Sequence, residues 1–448
     1  MSGESDQSEN FITRLKNSVN SLYLTIVSRI SRDPLLKGIL ILGSGTAISQ
    51  VLGIIFVPII TRIYTPAIYG TVAVFSSLLA ILLVAATLRY ELTIAIADND
   101  DDAEYLVILS FLIAGILTVI LFVILAFWGD YLAGVFHFEF LAPYYWLFCV
   151  GFFGAASYQI LMYWTLRSKH YVKITRTKIA QSISGSVSKI VLGLLSFGSF
   201  GLIIGDIISR VVGISSLGKT IIPKMWHSIH DFNVQKMRSL AYRYRQFPKF
   251  SLPSAFINVI ALQIPILLLS SLFGYETVGL YSLSYSITSL PVSFISGSIN
   301  QAYTAECSEL FRQKSEKILP LFQNTTKRLF MAGAPIILIG ALISPFLFPI
   351  IFGTAWKEAG IFVLPLSIFV IAQFVISSTD RLELYGFNHW GLAWNISRTL
   401  LVLGGFYLAF LFTLTPTVTI LIFSSIMTVM YVISYFLNIK AIKLCLMK

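Results

Sequence analysis

Of the 448 residues, 56% are hydrophobic and 12% charged, against roughly 45–50% and 25% in soluble domains, and the mean hydropathy is +0.81; a soluble globular enzyme is excluded. With 29 Gly, 15 Pro and 3 Cys the chain is neither collagenous nor disulfide-rich, and so long an apolar sequence needs lipid to cover it. The net charge of +11 would point to nucleic acid in a soluble protein, but in an integral membrane protein it fixes orientation, and no nucleic-acid partner is expected.

Residues 1–36 carry Arg14, Lys16, Arg29 and Arg32, with Phe11, Leu15, Val19, Leu22, Ile26 and Ile30 at helical spacings of three or four. The pattern is not that of a signal peptide; it reads as an amphipathic helix on the inner membrane surface or as a basic tail. Twelve apolar runs of about 20 residues follow, at about 37–61, 70–97, 105–128, 143–166, 179–197, 199–217, 251–272, 278–304, 327–351, 359–380, 390–413 and 416–439. They are continuous rather than alternating, which favours helices over a barrel. The expected fold is an all-α integral membrane protein with about 12 transmembrane helices.

Between the sixth and seventh runs lies the longest hydrophilic stretch, 218–250, with Lys219, Lys224, Lys236, Arg238, Arg243, Arg245 and Lys249. It divides the chain into an N-lobe over 37–217 and a C-lobe over 251–439, followed by a tail at 440–448, and a six-plus-six split implies duplicated, pseudo-symmetric lobes. Tyr64-Thr65-Pro66-Ala67-Ile68-Tyr69-Gly70 after the first run aligns with Phe273-Gly274-Tyr275-Glu276-Thr277-Val278-Gly279 after the seventh. In this topology 26 of the 32 Lys and Arg fall on the side of both termini, two (Arg62 and Lys357) on the other, and four within spans. Both termini are therefore expected in the cytoplasm. Cys149, Cys307 and Cys445 are not placed for a disulfide, and the five His make no Cys/His cluster, His227 and His230 being a lone i, i+3 pair; neither a metal nor a cofactor is expected.

At several of these places the chain resembles a bacterial family. Gly43-Ser44-Gly45-Thr46, Pro58, Arg62-Ile63-Tyr64-Thr65-Pro66 and Tyr69-Gly70 resemble its opening, and Leu88-Arg89-Tyr90-Glu91-Leu92-Thr93-Ile94-Ala95 the end of its second span. Further matches run through Gly198–Asp206, Tyr244-Arg245-Gln246-Phe247-Pro248 with Ser251-Leu252-Pro253, Gly279-Leu280-Tyr281-Ser282-Leu283, and Ile351-Phe352-Gly353 with Trp356 and Ala359-Gly360. In order from about 43 to 360, they are similar to the polysaccharide flippases, exporters of O-antigen and other lipid-linked oligosaccharides within the multidrug, oligosaccharidyl-lipid and polysaccharide exporter superfamily. The N-terminal extension of about 36 residues departs from that pattern. The resemblance implies two six-helix lobes around a central cavity. It further implies transport of an undecaprenyl-diphosphate-linked oligosaccharide from the inner to the outer leaflet of the bacterial inner membrane, with membrane lipids, a polysaccharide polymerase and a chain-length regulator as partners.

Ionisable residues inside spans are costly and mark sites. Arg89, Lys189, Arg398 and Arg210 are the candidate substrate-binding residues, because Arg offers phosphate a planar fork and Lys a point charge; Arg210 lies nearest the surface. The alternative for Arg89 is a structural pairing with Glu91 or Asp206. Glu91, Asp206 and Asp380 are the candidates for ion or proton coupling, or else fixed partners of a neighbouring Arg. Glu91, two residues from Arg89, would face another side of a continuous helix and make a poor partner for it. Ser44, Thr46, Ser49 and Gln50, Gln181 to Ser188, and Ser282 to Gln301 concentrate small and polar side chains in spans one, five and eight; they read equally as close helix packing or as a hydrated path for sugar.

Asp98-Asn99-Asp100 and Asp100-Asp101-Asp102 match the Asp-x-Asp pattern of glycosyltransferases, but in a short loop without an α/β domain they read as a solvated acidic turn. Neither a Walker loop nor an ordered Ser/His/Asp set occurs, and no catalytic residue is assigned. The expected activity is that of a non-enzymatic flippase working by alternating access. The rivals are a membrane polymerase or glycosyltransferase of the same pathway and a cation-coupled small-molecule exporter.

Overall fold

A computed structural model describes residues 34–136, 138–219, 221–222, 233–313 and 315–446. The N-terminal segment, but for its last three residues, lies outside them, as do Lys224, His227 and His230. Every regular element among the described residues is helical.

The chain runs through α1 (Pro34–Ile63), α2 (Pro66–Leu83), the one-turn α3 (Glu91–Ile94), α4 (Asp100–Phe136), α5 (Tyr145–Arg167), α6 (Tyr171–Leu194), α7 (Gly198–Val211) and α8 (Ile214–Gly218). The linker contributes α9 (Val234–Arg243). Then come α10 (Leu252–Thr288), α11 (Leu290–Arg312), α12 (Ile318–Phe352), α13 (Lys357–Ser377), α14 (Asn388–Leu411) and α15 (Pro416–Leu446). Helices α1 to α8 pack chiefly on one another, as do α10 to α15, and the two groups meet mainly along α2 and α10.

Ten stretches among the described residues are long and apolar enough to cross a membrane, and two places account for the difference from the twelve expected. Helix α6 carries Lys173, Arg176, Lys178, Gln181 and Lys189 together with a run of serines, too polar on average to register. Its 24 residues nevertheless extend about 36 Å, packed between α1 and α7. Helix α10 is broken at Gly274 (φ 79°, ψ 177°) and supplies both the seventh crossing and the start of the eighth, which α11 continues.

The second expected span is also divided. Helix α2 stops at Leu83, and residues 84–90 form successive turns in which Leu88 (φ 49°) and Arg89 (φ 68°) are left-handed. A non-glycine residue there costs about 1–2 kcal/mol. The unwinding turns Arg89 Nη1 to within 3.5 Å of Glu91 Oε1, so the two are partners, contrary to expectation, because the continuous helix that would separate them is absent.

The repeated motif meets itself. Thr65 caps α2, its hydroxyl accepting from Ile68 N at 3.4 Å, with Pro66 in the first turn. The first turns of α2 and of the post-Gly274 helix then cross in backbone contact: a Cβ on Gly70 would lie 1.7 Å from the Tyr275 carbonyl oxygen, and one on Gly279 would lie 1.9 Å from that of Pro66. Glycine at both positions permits this approach, and its reciprocity is that of a pseudo-twofold axis. Trp356 closes the same end, fully buried, donating from Nε1 to Thr61 O at 2.8 Å and meeting Tyr69 edge to face at 5.4 Å. Arg62 Nη2 donates to Ile350 O at 2.9 Å. The end of the molecule away from the start of α1 is thereby sealed across the two halves.

At the opposite end the acidic turn is not simply solvated, as the sequence led us to expect. Asn99 accepts from Asp102 N at 2.7 Å, and Asp100, Asp101 and Asp102 occupy the first turn of α4, where the helix dipole favours negative charge. Asp101 and Asp102 also receive Lys236, and Asp98 receives Arg243 at 2.6 Å. Tyr90 Oη donates to Ala241 O at 3.0 Å. Helix α9 is thus strapped across the same end of α2 to α4.

Candidate functional site

A cavity of about 480 Å³ lies between the two halves, walled by α1, α2, α6, α7 and α10. Its charge is concentrated on one wall. Asp206, in α7, accepts from Arg210 Nε at 2.9 Å and from Ser76 Oγ at 3.0 Å, and lies 3.9 Å from Lys189 Nζ. Local geometry dictates the grouping. Asp206 and Arg210 are one helical turn apart on α7 and share a face, while Lys189 crosses from α6 at Gly205, where an added Cβ would lie 2.3 Å from Lys189 Cγ. Tyr64 Oη donates to Lys189 O at 2.7 Å and ties that turn of α6 to the end of α1. All three charged side chains are less than a third exposed. The cluster sums to one positive charge, its two cations held by a single resident anion.

The structure therefore brings Lys189, Arg210 and Asp206 together and leaves the other candidates elsewhere. Arg89 does not border this cavity; it pairs with Glu91, which is 1% exposed and also bonded to Thr87. Its neighbour Tyr90 reaches the linker helix, which places Arg89 toward the end of the molecule that α9 crosses. Asp380 is half-buried in the second half and accepts from Ser434 Oγ and Asn438 Nδ2, each at 3.0 Å, and from Leu382 N at 3.3 Å. Arg381 beside it donates to Thr304 Oγ1 and, at 3.0 Å, to Asn300 O, pinning α11 to the end of α13.

Arg398 is 2% exposed. It donates to Asn258 Oδ1 at 3.2 Å and Asn395 Oδ1 at 3.0 Å, and lies 4.5 Å over the Trp394 ring. Among the described residues it has no carboxylate partner, and its Nε meets no acceptor. It does not border the cavity; its bond to Asn258 ties α14 to α10.

The polar residues of spans one, five and eight divide between helix contacts and the cavity wall. Ser182 donates to Ser49 O at 2.6 Å, Lys178 Nζ to Thr46 Oγ1 at 2.8 Å, and Ser284 to Ala359 O at 2.6 Å; these fasten helices. Gln181, Ser182, Ser186, Ser282 and Ser286 meanwhile border the cavity. Sequence reasoning missed Ser76, Ser209, Tyr285 and Gln263 in the wall. For Gln263 a signal existed: it is a lone amide in the apolar stretch Ile260-Ala261-Leu262-Gln263-Ile264-Pro265-Ile266, where a polar side chain needs a reason.

Similarities to known proteins fit this arrangement. A family model described as "Polysaccharide biosynthesis protein" matches residues 59–360. The teichuronic acid biosynthesis protein TuaB of Bacillus subtilis (strain 168) is 25% identical over 249 residues, 54% of this chain and 49% of that protein, so the match spans about half the relative's length. Among solved structures, an inward-facing multidrug resistance MATE family transporter of the MOP superfamily superposes with a TM-score of 0.62 at 16% identity, over 88% of this chain and 95% of that one. A MATE transporter of Vibrio cholerae gives 0.59 at 15%, over 94% and 97%. A MOP superfamily transporter from Pyrococcus furiosus gives 0.57 at 15%, over 92% and 97%. At such identities the likeness is one of fold.

Proposed function

The chain belongs to the polysaccharide biosynthesis protein family, and from that premise we propose that this multi-pass membrane transporter flips an undecaprenyl-diphosphate-linked oligosaccharide from the inner to the outer leaflet of the bacterial inner membrane. Both termini lie in the cytoplasm, and the product is handed to a polymerase and its chain-length regulator outside. The observation that carries the reading is the Lys189–Asp206–Arg210 cluster on the wall of a cavity between two lobes.

Asp206 acts as the resident counter-ion. In the empty cavity it neutralises part of the charge of Lys189 and Arg210, which lowers the cost of keeping two cations away from water. An entering diphosphate takes both cations, Arg210 through its planar fork and Lys189 as a point charge, and releases the Asp206 carboxylate. The freed carboxylate can take up a proton, which couples loading to the ion gradient. The prenyl tail stays in the bilayer while the head crosses. The lobes then part at the Gly70–Gly279 contact and close at the opposite end, and Asp206 returns to its partners as the diphosphate leaves, so the site resets itself. Arg89 with Glu91, and Asp380 beside Arg381, hold the inner ends of their lobes, and Arg398 braces α14 against α10 through Asn258.

Cells depleted of the protein separate this reading from its rivals. Loss of a flippase leaves lipid-linked single units on the inner leaflet; loss of a polymerase or glycosyltransferase leaves single units displayed outside or unmade. Dye efflux indifferent to lipid-linked sugar would instead mark a small-molecule exporter.

A further inference from the structure

The two walls of the cavity differ in kind. The first lobe contributes every charged side chain, Lys189, Asp206 and Arg210; the second contributes Gln263, Ile266, Ser282, Tyr285 and Ser286, none of them charged. Two polar groups on this second wall are unspent. Ser282 is 8% exposed and its Oγ has no hydrogen-bond partner, an unfavourable arrangement unless an occupant supplies the bond. Gln263 makes no hydrogen bond to any described residue and keeps two donors and an acceptor for a ligand. Ser286, by contrast, is spent on Ser282 O at 2.7 Å.

Resting on the reading of the cavity as a lipid-diphosphate site, we infer that the occupant is oriented: its diphosphate lies against the first lobe, and the sugar next to the diphosphate is read by Gln263 and Ser282 of the second. The electrostatics also fix the character of that sugar. A diphosphate occupies both cations of the first wall, whether Asp206 is charged or has taken up a proton, and the facing wall offers no cation to a further acid. The first sugar is therefore neutral, recognised through its hydroxyl groups, and an acidic sugar at this position is rejected because its carboxylate would be desolvated without a partner.

The experiment uses the full-length protein in proteoliposomes and follows translocation of three probes: undecaprenyl diphosphate without sugar, the same lipid carrying a neutral disaccharide, and the same lipid carrying a disaccharide whose first sugar is a uronic acid. The parent protein moves the neutral glycolipid at least tenfold faster than the acidic one. Ser282→Ala with Gln263→Leu slows the neutral glycolipid about tenfold, the loss of two hydrogen bonds, and leaves the sugar-free lipid within twofold of its original rate. Gln263→Lys raises the acidic-to-neutral rate ratio at least tenfold, a change that a packing role for Gln263 does not produce. Equal losses on all three probes, or no change in the ratio with Gln263→Lys, overturn the oriented reading while leaving the flippase in place. A parent protein that moves none of the probes overturns the flippase reading and this inference with it.

Discussion

Asp206→Asn isolates the resident counter-ion. The substitution keeps the shape of the side chain and its contact with Ser76 but removes the negative charge held 2.9 Å from Arg210 and 3.9 Å from Lys189. A diphosphate gripped by those two cations sits about 6–8 Å from the carboxylate, and at an effective dielectric constant of about 20 each phosphate charge is relieved of about 2 kcal/mol of repulsion. Screening by water and salt in an open cavity reduces this, which leaves roughly a tenfold gain in affinity at about 1.4 kcal/mol. The diphosphate then enters a site with two free cations and no internal anion to displace it. In a proteoliposome assay with lipid-linked oligosaccharide, the variant shows a KM about tenfold lower and a kcat reduced by at least as much, because release becomes slow. An unchanged or raised KM refutes the counter-ion role, and a raised KM would make Asp206 a ligand for some other group of the substrate.

Glu91→Gln leaves Arg89 without its charge partner in a nearly closed site and is expected to cost about 3 kcal/mol of stability, seen as a lowered Tm in detergent, with the transport KM of the surviving protein unchanged. Gly279→Val places a side chain against the Pro66 carbonyl and holds the sealed end apart. A cysteine introduced by Ser286→Cys then becomes reactive to a membrane-impermeant thiol reagent added from outside, whereas in the parent background it is silent. Hydrogen bonds to Asp101, then Asp102, raise the Lys236 pKa above its ordinary value. A raised pKa contributes stability that is fully present below the unfolded value of about 10.4 and is lost as pH rises through the folded one. Spin labels at Ser239→Cys and Leu112→Cys therefore keep a fixed separation from neutral pH to about 10 and spread toward longer distances above it, and Lys236→Gln gives that broadened distribution already at neutral pH, with Arg243 and Tyr90 still tethering the helix.

Where the sequence misled, one physical feature recurs. Sliding apolar runs along the chain finds helices that face lipid, and so it truncates or misreads the elements that face the cavity or bend. Helix α6 looks like a weak span because Lys189, Gln181 and its serines belong to the interior of the assembly. The pairing of Arg89 with Glu91, one of the alternatives the sequence offers, looks poor there because periodicity assumes the helix continues through Leu88 and Arg89, whose left-handed backbone only the structure reveals. The Tyr64–Gly70 and Phe273–Gly279 repeat was legible as a similarity, but that the two copies pack on each other is a consequence of pseudo-twofold symmetry that sequence alone does not place. Lys189, Arg210 and Asp206 were recognisable singly as charges breaking apolar spans. Their convergence needed the crossing of α6 on α7 at Gly205, whereas Arg398 is taken up by Asn258, Asn395 and Trp394 away from that cavity.

The most direct test of the flippase reading is translocation by the purified protein. Undecaprenyl-diphosphate-linked oligosaccharide is placed in both leaflets of proteoliposomes, and the fraction open to an externally added lectin is followed after the outer pool has been removed. The account predicts that the parent protein restores the outer pool within minutes and that Lys189→Ala with Arg210→Ala slows this at least a hundredfold while remaining folded in the membrane. A double variant that flips the lipid at the parental rate would contradict it.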